Sequence, residues 1–172
     1  MVDWNQILAA HGPAVWRTVY RLLGQHADAL DCYQETFLAA YRSVEHRPVA
    51  HWRTFLTCLA TRRAVDRLRQ RGRSRRLFTT LEDAPEPVVQ GDSPVEHAQQ
   101  AERLDEVRAQ LAELPEKQAE VFWLNCIEAM QPLEIANHLE IRPGEVRVLL
   151  HRARTRLRSA LEPRLPDSWR NR

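Results

Sequence analysis

Apolar residues recur at steps of three and four along almost the whole 172-residue chain, and no segment alternates convincingly in the manner of a half-buried strand. That spacing admits bundles of amphipathic helices and leaves little for a sheet. The pattern fails once, from Leu77 to about Gln100, where Pro85, Pro87, Gly91 and Pro94 surround the acidic run "EDAPEP". A gap of that length is long for a loop inside one compact domain and reads as a linker. The expected fold is all-α: two small helical domains at 1–76 and 100–163, a flexible linker at 77–99 and a tail at 164–172. Each domain alone would bury only about 60% of its unfolded surface, so partner binding should add to stability.

Within the first domain, Asp3 and Gln6 fit a capping box, Gly12-Pro13 should interrupt the opening helix, and Gly24 should end it. Asp28 can cap the next helix, whose expected apolar stripe is Leu30, Tyr33, Phe37, Tyr41 and Val44. A third helix is expected from about Val49 to Arg71, with Trp52, Phe55, Leu56 and Leu59 inward and Gly72 at its end. In the second domain Leu104, Val107, Leu111 and Leu114 share a face and Pro115 breaks it. Helices should follow at about Glu116–Ala129, Leu133–Leu139 and Glu145–Leu161.

The chemistry of the side chains excludes several functions. There is no Gly-rich phosphate loop, no GxSxG and no pair of carboxylates on a shared wall, so no catalytic residue is expected. Cys32, Cys58 and Cys126 are far apart, form no CxxC and lie within helical patterns, which predicts buried, reduced thiols. The histidines are scattered, so neither a metal nor a cofactor is expected. No apolar run reaches the ~20 residues of a membrane span, and the N-terminus lacks the flank and cleavage site of a signal peptide. A soluble, cytoplasmic protein, monomeric when free, is the expectation.

Charge is segregated far more than the net +2 suggests. Arg62–Arg76 holds eight arginines against Asp66, residues 77–100 hold acids and no Lys or Arg, and residues 142–172 hold nine arginines. Two basic blocks around an acidic stretch imply two anion-binding surfaces. The second block is the more informative. A short helix with Ile135, Ala136 and Leu139, a tight turn "EIRPG" and a long helix with Arg147, His151, Arg154 and Arg158 on one side form a helix-turn-helix pattern. In that motif the second helix lies in the major groove, where arginine neutralises phosphate or pairs with guanine. An ordinary helical hairpin with a solvated arginine face would share the pattern. The first block crowds like charge along one helix; binding a polyanion relieves the repulsion and releases counterions.

The two halves together resemble the extracytoplasmic-function (ECF) sigma factors of bacterial RNA polymerase, over about residues 10–76 and 100–160. The resemblance rests on "DALDCYQETFLAAYR" (Asp28–Arg42), on "FLTCLATRRAVDRLR" (Phe55–Arg69), and on "LPEKQ", "EIA" and "HRAR" in the second half. It implies a non-enzymatic protein that binds core RNA polymerase, recognises promoter DNA and helps open it. It implies a clamp-docking role for Asp31, Gln34 and Glu35, and contact with the melted promoter for Arg62, Arg63, Arg67, Arg69, Arg71 and Arg73. Arg142, Glu145, Arg147, Val148, His151, Arg152 and Arg154 would meet the upstream promoter element. The loop Ser43–His51 matches the place of base capture, and the acidic linker would thread the polymerase. An external anti-sigma factor is implied as a further partner.

Specificity is where the chain departs from the family. Arg62 stands where asparagine is usual, Phe55 replaces tryptophan, and "RPGEVRVLLHRAR" places Arg142, Glu145, Val148 and Leu149 at positions commonly filled otherwise. An atypical promoter is expected. Two rival readings stand beside this one: a free-standing helix-turn-helix regulator, and a sigma mimic that sequesters a partner without reading DNA.

Overall fold

The computed structural model describes residues 2–44, 48–77 and 94–161. Seven helices follow one another: α1 (Trp4–Leu23), α2 (His26–Val44), α3 (Trp52–Leu77), α4 (Pro94–Glu113), α5 (Glu116–Cys126), α6 (Pro132–Leu139) and α7 (Pro143–Leu161). There is no strand among the described residues. Residues 78–93 of the expected linker, 45–47 of the expected capture loop and the tail lie outside them.

The first unit packs α1, α2 and α3 on one another. Asp3 caps α1 by accepting from the Gln6 amide at 3.1 Å. Gly24 ends α1 in the left-handed region at φ 73°, its amide donating to the Tyr20 carbonyl at 2.9 Å. Between them the expected break at Gly12-Pro13 does not occur, and α1 runs through Pro13 unbroken. The proline forfeits one helical hydrogen bond, but Val15, Val19, Leu22 and Leu23 behind it are all buried. Gly12 is buried under Tyr33; a Cβ there would stand 2.8 Å from the tyrosine oxygen, so glycine sets how closely α1 and α2 approach.

The expected stripe on α2 holds in part: Tyr33 and Phe37 pack against the core. Leu30 and Tyr41 are exposed instead, and the fully buried positions are Ala29, Cys32, Thr36 and Ala40. This small-residue face is possible because Thr36 returns its hydroxyl proton to the Cys32 carbonyl at 2.7 Å, so no polar group is left unpaired. Asp28 is not the cap of α2 but sits in its first turn, 3.1 Å from Arg71. In α3, Leu56, Ala60, Ala64, Val65 and Leu68 form the core, with Trp52, Phe55 and Leu59 half-buried against it. Gly72 does not end α3, which continues to Leu77; a Cβ at Gly72 would lie 3.2 Å from Ala112 of α4.

Helix α4 starts at Pro94, within the stretch expected as linker. Proline suits a first helical turn, where its missing amide costs nothing. Pro115 separates α4 from α5 as anticipated, and α5 is shorter than expected, stopping at Cys126. The loop after it is fastened by Asn125 donating to the Met130 carbonyl at 2.9 Å. Leu111, Val121, Leu124, Ile135 and Val146 are fully buried and join α4, α5, α6 and α7. The core is continuous between the units: Cys58 of α3 touches Met130 at 3.8 Å, and Thr18 of α1 donates to Glu128 at 2.9 Å.

Candidate nucleic-acid interface

The helix-turn-helix forms as the residues require. Glu134 accepts from the Gln131 amide at 2.8 Å and so fastens the start of α6. Glu140 then takes a left-handed conformation at φ 54°, which turns the chain, and the amides of Glu140 and Ile141 both close on Ala136. Pro143 opens α7. Val146, Leu150, Ala153, Leu157 and Leu161 bury one side of α7. Glu145, Arg147, Val148, His151 and Arg152 are all exposed on the rest of it, and Arg142 is exposed in the turn before it. Arg154 departs from that face. It is half-buried, and its guanidinium lies 3.3 Å from the Asn125 oxygen and 3.6 Å from the Cys126 sulfur. Its first task is to bind α7 to the end of α5.

The first basic block is better compensated than its sequence suggests. Arg67 of α3 donates to Glu35 at 3.1 Å and to the Asp28 carbonyl at 3.0 Å, and stands 3.5 Å from Asp31. Arg63 lies 3.6 Å from Glu35. Arg71 serves Asp28 and the Leu23 carbonyl at the end of α1. Arg62 and Arg69 reach Glu116 of α5, at 4.0 and 3.5 Å. Arg73 is exposed on the last turns of α3. The acids offsetting the block sit on other helices, too far along the chain for a local reading to pair them. Asp31 and Glu35, expected to meet a partner protein, thus also bind α2 to α3, while remaining 63% and 48% exposed as side chains.

Gln34 is exposed, and at one helical turn to either side stand Leu30 and Leu38, with Tyr41 beyond; all three are exposed. This row escaped the periodicity reading because the large residues were taken for the core face. The small-residue spacing of Ala29, Cys32, Thr36 and Ala40 is the signal that could have found it. The carboxylates of α5 escaped as well. Glu120 is buried, 4% exposed, and burial raises its pKa to about 7, more than the nearby Arg62 offsets. Burial likewise lifts Cys32 to about 11 and raises Cys58 further. Cys126 is only half-buried, unlike the expectation for it. Among the described residues no group of three His, Cys, Asp or Glu is placed to hold a metal ion, and no helix is long and apolar enough to cross a membrane.

A three-helix unit with an arginine-rich third helix, followed by a helix-turn-helix unit, is the architecture of a sigma-type transcription protein. The profile for sigma-70 region 2 matches residues 7–74, and that for sigma-70 region 4 matches residues 104–157. The ECF RNA polymerase sigma factor SigE of Mycolicibacterium smegmatis is 32% identical over 162 residues, 94% of this chain. The chain spans 62% of that relative's length. SigW of Bacillus subtilis, also an ECF RNA polymerase sigma factor, is 27% identical over 154 residues, covering 86% of this chain and 82% of the relative. The chain belongs to the sigma-70 family, in its extracytoplasmic-function group. Two solved structures share the fold. One is the sigma factor RpoE of Bartonella quintana in complex with the anti-sigma factor NepR: TM-score 0.59, 20% identity, 95% of this chain and 99% of that one. The other is the extracytoplasmic function sigma factor SigJ of Mycobacterium tuberculosis: TM-score 0.53, 26% identity, 84% of this chain and 50% of that one.

Proposed function

We propose that this protein is a sigma factor that binds core RNA polymerase, directs it to a promoter and assists opening of the DNA, without covalent chemistry of its own. The observation that carries the reading is the pairing, in one chain and in family order, of region 2 and region 4 with a solvent-facing basic α7 whose other side is core. Polymerase docking falls to Asp31, Gln34 and Glu35, extended by the exposed row Leu30, Leu38 and Tyr41 beside them. Contact with the melted promoter falls to the α3 arginines, Arg62, Arg63, Arg67, Arg69, Arg71 and Arg73. Here stacking and backbone neutralisation hold a single strand. Upstream duplex recognition falls to Arg142, Glu145, Arg147, Val148, His151 and Arg152, with Arg154 chiefly bracing α7. Glu145 can accept from cytosine and Val148 can touch a thymine methyl. The domain limits proposed are 1–76 and 100–163, with the intervening stretch crossing the polymerase. The place of action is the cytoplasm, where the polymerase is.

An anti-sigma factor is the proposed regulator, since the fold is shared with a sigma factor captured with one. The sigma-mimic reading keeps one specific support, the engagement of Arg62 and Arg69 by Glu116 and of Arg154 by Asn125. The test is transcription by purified protein and core polymerase on a promoter library. Promoter-dependent transcripts are expected. Duplex binding indifferent to polymerase would replace the proposal with a free-standing regulator, and polymerase binding with no transcript would replace it with a mimic.

A further inference from the structure

Asn125, near the end of α5, sits where three elements of the second unit meet: α5 itself, the loop into α6, and α7. Its Nδ2 donates to the Met130 carbonyl at 2.9 Å, and its Oδ1 accepts from the Arg154 guanidinium at 3.3 Å. A guanidinium only donates and a carbonyl only accepts, so the two partners fix which way the carboxamide points. No other side chain of that size offers a donor and an acceptor side by side; an aspartate would lose the first bond and a leucine both. The first bond closes the loop that leads into α6, and the second holds α7. One side chain therefore sets both helices of the helix-turn-helix against α5.

The buried stripe of α7, from Val146 through Leu150, Ala153 and Leu157 to Leu161, is apolar. Apolar attraction is non-directional, so it favours burial of that side without selecting one rotation about the helix axis. The rotation is set by polar ties on the two flanks of the stripe. Arg154 and Arg156 lie about 200° apart around the helix. Both reach α5, Arg154 at Asn125 and Arg156 at the buried Gln118, each at 3.3 Å. Gln118 lies near the start of α5 and Asn125 near its end, so the two ties resist sliding as well as turning. The exposed residues Glu145, Arg147, Val148, His151 and Arg152 ride on this alignment. At a radius of about 5–6 Å, turning α7 by about 20° carries a side chain about 2 Å along its arc. A hydrogen bond to a base edge spans only about 2.7–3.2 Å, so a turn of that size breaks it.

We propose that Asn125 and Arg154 are positioning residues for sequence recognition: they hold α7 in the rotation at which its exposed face meets the base edges, and Arg154 itself neutralises no phosphate. The proposal rests on the reading that α7 enters the major groove of upstream duplex DNA. Two roles for Arg154 then make opposite demands. A residue that neutralises a phosphate strengthens binding to every sequence alike and adds about 0.9 to the slope of log K against log salt. A positioning residue contributes to discrimination between sequences and leaves the slope unchanged, because the charge that meets the backbone is carried by other side chains.

The test uses holoenzyme assembled from the full chain and core polymerase. The probes are a fluorescein-labelled duplex carrying a promoter returned by the library, and the same duplex with single base pairs exchanged in the upstream element. Anisotropy over a series of salt concentrations gives the affinities. Wild type should lose about tenfold per exchanged pair. Arg154→Met should shrink that penalty several-fold and keep the wild-type salt slope, whereas Arg147→Met should lower the slope by about 0.9. Asn125→Ala should lose discrimination to the same extent, and the double variant should be no worse than either single one, as two halves of one joint require. A purely structural role would reduce the active fraction for all duplexes equally and leave the ratio of matched to exchanged affinities where it was. Arg154→Met with full discrimination, or with a slope lower by about 0.9, overturns the positioning role; neither result depends on Asn125→Ala folding. A wild type indifferent to every exchanged pair instead overturns the reading of α7 as a reader of sequence, and the proposal falls with it.

Discussion

Replacing Arg67 with methionine tests whether the first basic block is a set of structural ties before it is a DNA surface. The side chain is 24% exposed, and its guanidinium holds α2 to the middle of α3 through the Asp28 carbonyl, Glu35 and Asp31. A hydrogen bond from a charged group to a backbone carbonyl is worth about 1.5–3 kcal/mol net, and the low end applies where water can replace it. Partly exposed ion pairs add about 0.2–1 kcal/mol each. Methionine keeps much of the aliphatic contact, so the loss comes to about 2 kcal/mol. For a chain of this size that is a fall in Tm of about 4–8 °C. Thermal and urea unfolding followed by circular dichroism would read it. A double-mutant cycle with Glu35→Gln should return a coupling of about 0.5–1 kcal/mol, shrinking in about 1 M salt. Arg73→Met, at an exposed position on the same helix, should stay within about 0.5 kcal/mol of wild type. Equal melting of the Arg67 and Arg73 variants, with no coupling to Glu35, would refute the reasoning and return Arg67 to nucleic acid alone.

Leu124→Ala empties a fully buried position in the second unit and should cost about 2–5 kcal/mol, measured by urea unfolding. Gly24→Ala places a Cβ at φ 73° and 2.6 Å from Arg108, which itself donates to the Arg21 carbonyl; a loss of about 1–2 kcal/mol is expected from thermal melts. Among the three cysteines, a thiol-disulfide reagent near neutral pH should titrate only Cys126 in the native protein and all three after denaturation. Burial keeps Cys32 and Cys58 as thiols, and rapid native reaction of either would contradict their placement.

Helix type and order were legible because each helix carries its own periodicity, and Gly24, Pro115 and Pro143 punctuate locally. Pro13 and Gly72 misled because punctuation is a local tendency: buried Val15, Val19 and Leu22 carry α1 past Pro13, and Gly72 lies in close contact with Ala112 of α4. The rotated face of α2 was hidden for a different reason. Leu30 and Tyr41 carry far more apolar surface than Ala29 and Thr36, yet close helix approach selects small volume instead. Within the candidate site, α7 was readable as a face, since its basic and apolar positions separate on one helix. The partners of Arg67 and Arg62 were not, because Glu35 and Glu116 lie 32 and 54 positions away in sequence and only the packed fold brings them near. Arg154 shows the same limit on a smaller scale, being drawn inward by Asn125 of α5, 29 positions away.

The small-residue contact face of α2 inverts the customary expectation about which substitutions a helix tolerates. Trimming Leu38, which is 57% exposed, removes little that folding relies on, whereas adding two methyl groups at the fully enclosed Ala40 leaves no room for the neighbouring helices to settle. Exposed bulk on this helix, at Leu30, Leu38 and Tyr41, can therefore drift with whatever surface it meets, while its miniature side chains stay frozen by the architecture beneath them.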